Sequence, residues 1–140
     1  MIRILGIDYG TVRIGLALSD PTGTLASPLP HLENKSLAQI QTSLVDLIRT
    51  HEISRIVVGL PRNMDGTYGP ATVKVRSFIS QIQGGLGVPI ETEDERLTTM
   101  QASKQLSSIG LSHKDLRDKV DSSSAALILQ QYLDRTTLTP

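Results

Sequence analysis

The segment ISRIVVGLP, residues 53 to 61, constrains the fold more than any other stretch of the chain. It is apolar and rich in β-branched residues until Gly59 and Pro61 stop it, the pattern of a strand buried in the middle of a sheet. A second aliphatic run, ILGIDYG at residues 4 to 10, ends on a carboxylate, Asp8, followed by Gly10. Burying an ionised acid without a partner costs on the order of several kcal/mol, so Asp8 must be solvated, paired or ligated.

The rest of the pattern places these two runs. Residues 2 to 8, 12 to 19 and about 24 to 29 read as three strands of an antiparallel meander, the second turn being DPTG. Leu37, Ile40, Leu44, Leu47 and Ile48 recur at helical spacing and predict a helix ending near His51. After the loop PRNMDGTYG, a helix following Pro70 carries Val75, Phe78, Ile79 and Ile82 on one face and closes at a Gly-Gly pair. GVPIETEDE reads as a strand running into acid. Thr98 and Gln101 form a capping box for a helix that stops at Gly110. A last helix, from about Val120 to Leu133, buries Ala125, Ile128, Leu129 and Tyr132. Hairpin strands followed by alternating helix and strand predict an α/β fold, a mixed sheet covered by helices with its later strands parallel to the first.

With 140 residues, a single domain over residues 1 to 135 is expected, and the terminal stretch 136 to 140 reads as a frayed tail. Fourteen Lys plus Arg balance fourteen Asp plus Glu, so a nucleic-acid site has to be a local patch. One Phe, three Tyr and no Trp argue against a base-stacking platform for single strands. The absence of cysteine excludes disulfides, thiolate nucleophiles and thiolate metal sites. No segment approaches a membrane span and the amino terminus has no secretory core, which predicts a soluble, cytoplasmic protein without a membrane partner. His31, His51 and His113 show no ligand spacing and read as surface residues.

Acids recur where parallel strands would end. Asp8 closes the first strand, Glu93, Asp94 and Glu95 close the last, and Asp121 opens the final helix on the face of Ala125, Ile128 and Tyr132. Open sheets bind ligands at this rim. Converging carboxylates need a shared proton or a cation, and oxygen donors without His or Cys favour Mg²⁺ or Mn²⁺. Each acid also has a plainer reading. Asp8 can be a turn former satisfied by amides around Gly10, Asp121 a helix cap, and the run 91 to 95 a solvated edge. Arg13, Arg96 and Lys119 can hold a phosphate or pair with neighbouring acids, and SHKDLRDKVD can be a phosphodiester contact patch or a mixed-charge surface loop. Should the helix begin early, Asp118 shares the reach of Asp121. Asn63 and the backbone amides of its loop can contact a substrate backbone, or merely connect strand to helix.

Four stretches, GIDYGTVRIGLALSD, VVGLPRNMDGTYG, EDERLTTMQA and KVDSSSAALILQ, together resemble the YqgF (RuvX) family of the RNase H-like superfamily and span nearly the whole chain in the family's order. The resemblance implies the RNase H-like fold, a five-stranded mixed sheet of three antiparallel strands then two parallel ones. It implies a divalent-metal nuclease that matures the precursor of small-subunit ribosomal RNA, with Holliday-junction resolvase activity, and with pre-ribosomal RNA, branched DNA and ribosomal particles as partners. Carried over residue by residue, it implies Asp8, Glu95 and Asp121 as catalytic metal ligands, with Asp94 the close competitor of Glu95. Gly10, Arg13, Asn63, Arg96 and Lys119 are the substrate-binding set. Junction cleavage favours a homodimer, whereas trimming one strand needs only a monomer. Two other readings stand beside this one. GIDYGTVRIGLALSD is also similar to the nucleotide-binding phosphate hairpin of actin and sugar kinases, and the chain could be a non-catalytic RNA or protein interaction module.

Overall fold

A computed structural model describes residues 3–61, 69–94 and 113–137, with side chains from 124 to 136 in the last segment. Five strands and three helices follow in the order β1 (Arg3–Tyr9), β2 (Arg13–Ser19), β3 (Ala26–Glu33), α1 (Leu37–His51), β4 (Ile53–Leu60), α2 (Pro70–Gln83), β5 (Ile90–Asp94) and α3 (His113–Thr137). They form one sheet in the order β3-β2-β1-β4-β5. β1 pairs antiparallel with β2 and β2 with β3, while β4 and β5 are parallel to β1 and to each other. This is the RNase H-like mixed sheet, and it carries the two most apolar runs, β1 and β4, at its centre.

Apolar residues of the central strands feed two clusters, one on each face. Leu5, Ile7, Leu16, Ile56 and Val58 pack with Ile40 and Leu44 of α1 and Val75, Phe78 and Ile82 of α2. Ile4, Ala17 and Val57 pack with Ala125, Ile128, Leu129, Tyr132 and Leu133 of α3. Alternation along β1 divides its residues between the two, so the strand has no solvated face.

Local chemistry sets the ends of the elements. Ser36 caps α1, its hydroxyl accepting from the Gln39 amide, and Glu52 closes the helix in the left-handed region at φ 54°. Gly69 and Pro70 open α2. In the DPTG turn, the Asp20 carboxylate accepts from the amides of Thr24 at 2.8 Å and Leu25 at 3.2 Å, while Gly23 takes φ +72°.

Three boundaries differ most from the sequence reading. β3 extends to Glu33 despite Pro28 and Pro30. It is an edge strand, where a missing outward N–H is tolerated. α3 begins at His113 rather than near Val120, because KDLRDKV has neither Gly nor Pro and its straight-chain residues are good helix formers. At its other end α3 includes Thr136, whose hydroxyl donates to the Tyr132 carbonyl at 2.8 Å, so residues 136 and 137 of the expected frayed tail are helical, and 138–140 lie outside the described residues. The expected helix between Thr98 and Gly110 also lies outside them. Among the described residues no helix is long and apolar enough to cross a membrane.

Candidate active site

Because β1, β4 and β5 run parallel, their carboxyl ends share one rim of the sheet. Asp8 is half-buried there. Its face is fixed by its neighbours: Ile4 belongs to the α3 cluster, and a Cβ on Gly6 would stand 2.9 Å from Leu129 Cβ and 3.1 Å from the Ala125 carbonyl. Two residues further along, Asp8 continues the α3 face.

The direction of α3 follows from Gln130. Its side chain accepts from the Ala26 amide at 2.9 Å and donates to the Thr24 carbonyl at 2.9 Å, beside the amino end of β1. The helix therefore runs antiparallel to β1. From Gly6 to Asp8 the strand advances about 6.6 Å. Four residues of helix advance about 6 Å, which leads back from Ala125 to Asp121. The turn that carries Asp121 is thus level with Asp8. Since α3 begins two turns before Asp121, the helix-cap reading of that residue is overturned. The SHKDLRDKVD stretch, expected as patch or loop, is helical from His113 onward.

The remaining site residues divide by where they fall. Gly10 belongs to the turn joining β1 to β2, and Arg13 is the first residue of β2. A Cβ on Gly10 would meet the Arg13 carbonyl at 2.3 Å, so the turn requires glycine there. Asn63, Glu95 and Arg96, and the side chains of Asp118, Lys119 and Asp121, lie outside the described residues.

Within the acidic strand Glu91 and Thr92 are exposed, as a solvated edge would be, while Glu93 corrects that reading. Glu93 is 5% exposed. Its Oε1 accepts from Arg135 Nη2 at 2.6 Å and its Oε2 from Gln131 Nε2 at 2.7 Å. Gln131 Nε2 also donates to the Asp94 carbonyl at 3.1 Å. One strand pitch earlier, Glu91 accepts from the Tyr132 hydroxyl, which in turn accepts from Arg55 Nη1 at 2.7 Å. Both carboxylates fasten α3 to the β5 edge. Such a buried acid is held by charge-assisted hydrogen bonds to both oxygens, and loses them only at a large desolvation cost. The sequence signal that could have found this is Gln131 and Arg135, four residues apart on one helix face and flanking Tyr132. Because Glu91 and Glu93 face α3, Thr92 and Asp94 point to the opposite side of the sheet.

Burial, followed by the hydrogen bond to Glu91, raises the Tyr132 phenol above its ordinary value, against a smaller opposing influence of Arg55. Unfolded tyrosine ionises near pH 10. The folded chain holds this proton to higher pH, so the contribution is intact below about pH 10 and is lost as the pH rises beyond it. The urea midpoint of the wild type is expected to fall between pH 9 and about pH 11, and that of Tyr132→Phe to fall less. Parallel slopes in the two proteins would remove Tyr132 from the alkaline transition.

The donor set at the rim fits a hard divalent cation. Asp8 offers carboxylate oxygens at a partly buried strand end, and no Cys exists in the chain to favour a softer metal. One residue before the Ala125 that packs against Gly6, the Ser124 hydroxyl is 1% exposed and has no hydrogen-bond partner among the described residues. A buried orphan hydroxyl next to the rim suits a place where a polar ligand belongs. Among the described residues, no three His, Cys, Asp or Glu side chains already form a metal cluster. Away from the rim, a groove of about 420 Å³ between β3 and α1 brings His31 and His51 near Asp46. Both histidines are half-buried rather than the surface residues expected.

Comparison with known proteins shows the family and the fold. The model of the RuvX family, described as Holliday junction resolvase, matches residues 2–135. A relative from Moorella thermoacetica, provisionally named a pre-16S rRNA nuclease, is 43% identical over 134 residues, covering 96% of both chains. One from Anaeromyxobacter sp. strain K, named in the same way, is 42% identical over 96% of this chain and 98% of its own. Among solved structures, Thermus thermophilus RuvC in complex with a Holliday junction substrate superposes with a TM-score of 0.55 at 13% identity, over 97% of this chain and 96% of that one. The fowlpox virus resolvase bound to Holliday junction DNA gives 0.53 at 13% identity, over 99% and 100%. At such identity the likeness is one of fold.

Proposed function

Since the chain belongs to the RuvX family of Holliday junction resolvases, we propose that it is a nuclease that hydrolyses phosphodiester bonds at the Asp8 rim. The observation that carries the reading is the placement of Asp8 on the α3 face of the sheet, level with the helical turn of Asp121. Glu95 is the third acid of the set. It shares the parity of Glu91 and Glu93, which face α3, whereas Asp94 has the opposite parity; this favours Glu95 over Asp94 as the ligand.

Asp8, Glu95 and Asp121 would hold one or two Mg²⁺ or Mn²⁺ ions. Bound there, a hard divalent cation supplies charge neutralisation at phosphorus and a more acidic water. The protein's own residues orient and hold. Asp8 is fixed by the β1 ladder opposite Gly15 and cannot drift from the rim. Arg13, on the neighbouring strand, places positive charge beside the substrate backbone, and Arg96 and Lys119 add to it. The Gly10 turn lets a strand approach the β1 backbone closely.

The substrate best supported is the precursor of 16S ribosomal RNA, since relatives matching along nearly their whole length carry that name. Branched DNA is the second reading, favoured by the resolvase description of the family. The protein then meets its substrate in the cytoplasm, on or near ribosomal particles, as a monomer for trimming or a homodimer for junctions. The kinase-type phosphate hairpin gains nothing from these relatives. The test is a side-by-side cleavage assay, with Mg²⁺ and with Mn²⁺, on a pre-16S RNA fragment and a four-way DNA junction. Faster cutting of the RNA is expected, and the metal should raise the melting temperature of the wild type but not of Asp121→Asn. No cleavage of either substrate and no metal shift would leave a non-catalytic module.

A further inference from the structure

A cleft of about 330 Å³ opens where the β1–β2 turn meets the junction of β3 and α1, lined by Thr11, Val12, Arg13, Glu33, Asn34 and Lys35. We propose that this cleft is a second nucleic-acid contact, gripping the sugar-phosphate backbone of the substrate strand away from the bond being cut. The inference takes its substrate class from the nuclease reading and otherwise stands on the cleft itself.

Position comes first. The turn begins two residues after Asp8, and Arg13 lies opposite Glu33 in the β2–β3 register. Two strand spacings across and two residues along separate the cleft from Asp8 by about 12 Å. That distance is covered by one nucleic-acid strand within a few nucleotides. A strand whose scissile phosphate sits at Asp8 can therefore pass over it.

Rigidity is the second observation. Asn34 pins the turn from both sides: its Nδ2 donates to the Gly10 carbonyl at 2.8 Å and its backbone N–H to the Val12 carbonyl at 2.9 Å. A surface held this way presents its groups without an ordering cost on binding. Val12, 72% exposed at the tip, offers an apolar contact for a sugar or base.

Charge is the third. Arg13 and Lys35 outnumber the single acid Glu33, in a chain with no net charge. Lys35 Nζ stands 2.9 Å from Glu33 Oε2 with 76% of its side chain exposed. Their hydrogen bond and mutual attraction hold the Glu33 carboxyl below its ordinary value, with smaller help from His31 and Arg13. An exposed pair of this kind is weak. A phosphate can draw Lys35 away from Glu33 at little cost, and Glu33 acts as a counterweight that limits affinity.

Opposite signs for two neighbouring substitutions test this. The full-length protein is titrated in EDTA against a fluorescein-labelled four-way DNA junction and a labelled pre-16S RNA fragment, reading anisotropy across a salt series. Lys35→Gln is expected to weaken binding about 3- to 10-fold near 0.1 M salt and to reduce the salt slope by about one. Glu33→Gln is expected to tighten it about 2- to 5-fold, with melting temperatures of both within a few degrees of wild type. Wild-type affinity and slope in Lys35→Gln, or no tightening in Glu33→Gln, would overturn the cleft while leaving the nuclease reading intact. Failure of the wild type to bind either probe would overturn both.

Discussion

Asp8→Asn protein is expected to fold and to bind nucleic acid, yet to cleave it about 10³-fold or more slowly, which corresponds to about 4 kcal/mol of lost transition-state stabilisation. The substitution keeps the shape of a half-buried side chain at the end of β1 and removes only its negative charge. That charge is what a hard cation requires of the site. The check is single-turnover cleavage of the pre-16S fragment, with the variant purified beside the wild type so that contaminating nuclease appears in both. A variant that cuts as fast as wild type would remove Asp8 from the chemistry. Unchanged melting temperature in EDTA shows that the loss is one of function.

Gly6→Ala is expected to be strongly destabilising. The new Cβ would lie 2.9 Å from Leu129 Cβ and 3.1 Å from the Ala125 carbonyl, and the latter belongs to a helix backbone that cannot turn aside. Overpacking of this kind costs about 2–3 kcal/mol. For a chain of this size the melting temperature should fall by about 3–4 °C per kcal/mol. Activity should fall further than stability explains, because the helix that must yield also carries Asp121. Thermal melts and cleavage of the same preparation, at a temperature where the variant remains folded, separate the two effects. A melting temperature within 2 °C of wild type, with full activity, would show that α3 does not pack as closely as the geometry requires.

The antiparallel meander with later strands parallel to the first, the helix face at Ala125, Ile128, Leu129 and Tyr132, and the place of Asp8 at a strand end were all legible in the chain. Each rests on local periodicity, or on the cost of burying one charge. What could not be read was long-range partnering. Glu93 looks like one more solvated acid in ETEDE until Arg135 and Gln131, some forty positions later, are brought against it. The start of α3 was hidden for a different reason: charged residues with good helix propensity look the same in an exposed helix as in a surface loop. Within β5, the face of each residue up to Asp94 follows from Glu91 and Glu93 both bonding to α3.

Among the described residues the sheet is sheathed unequally: α1 and α2 share one face, and α3 covers the other. In the proposed site, Asp8 belongs to the sheet and Asp121 to a turn of the covering helix. Lifting the first half of α3 by a few ångströms would switch the enzyme off without disturbing the strands, the opposite core or the β1–β2 turn. Catalysis in such a molecule reports the integrity of one layer, and heat should extinguish it before the rest of the structure melts.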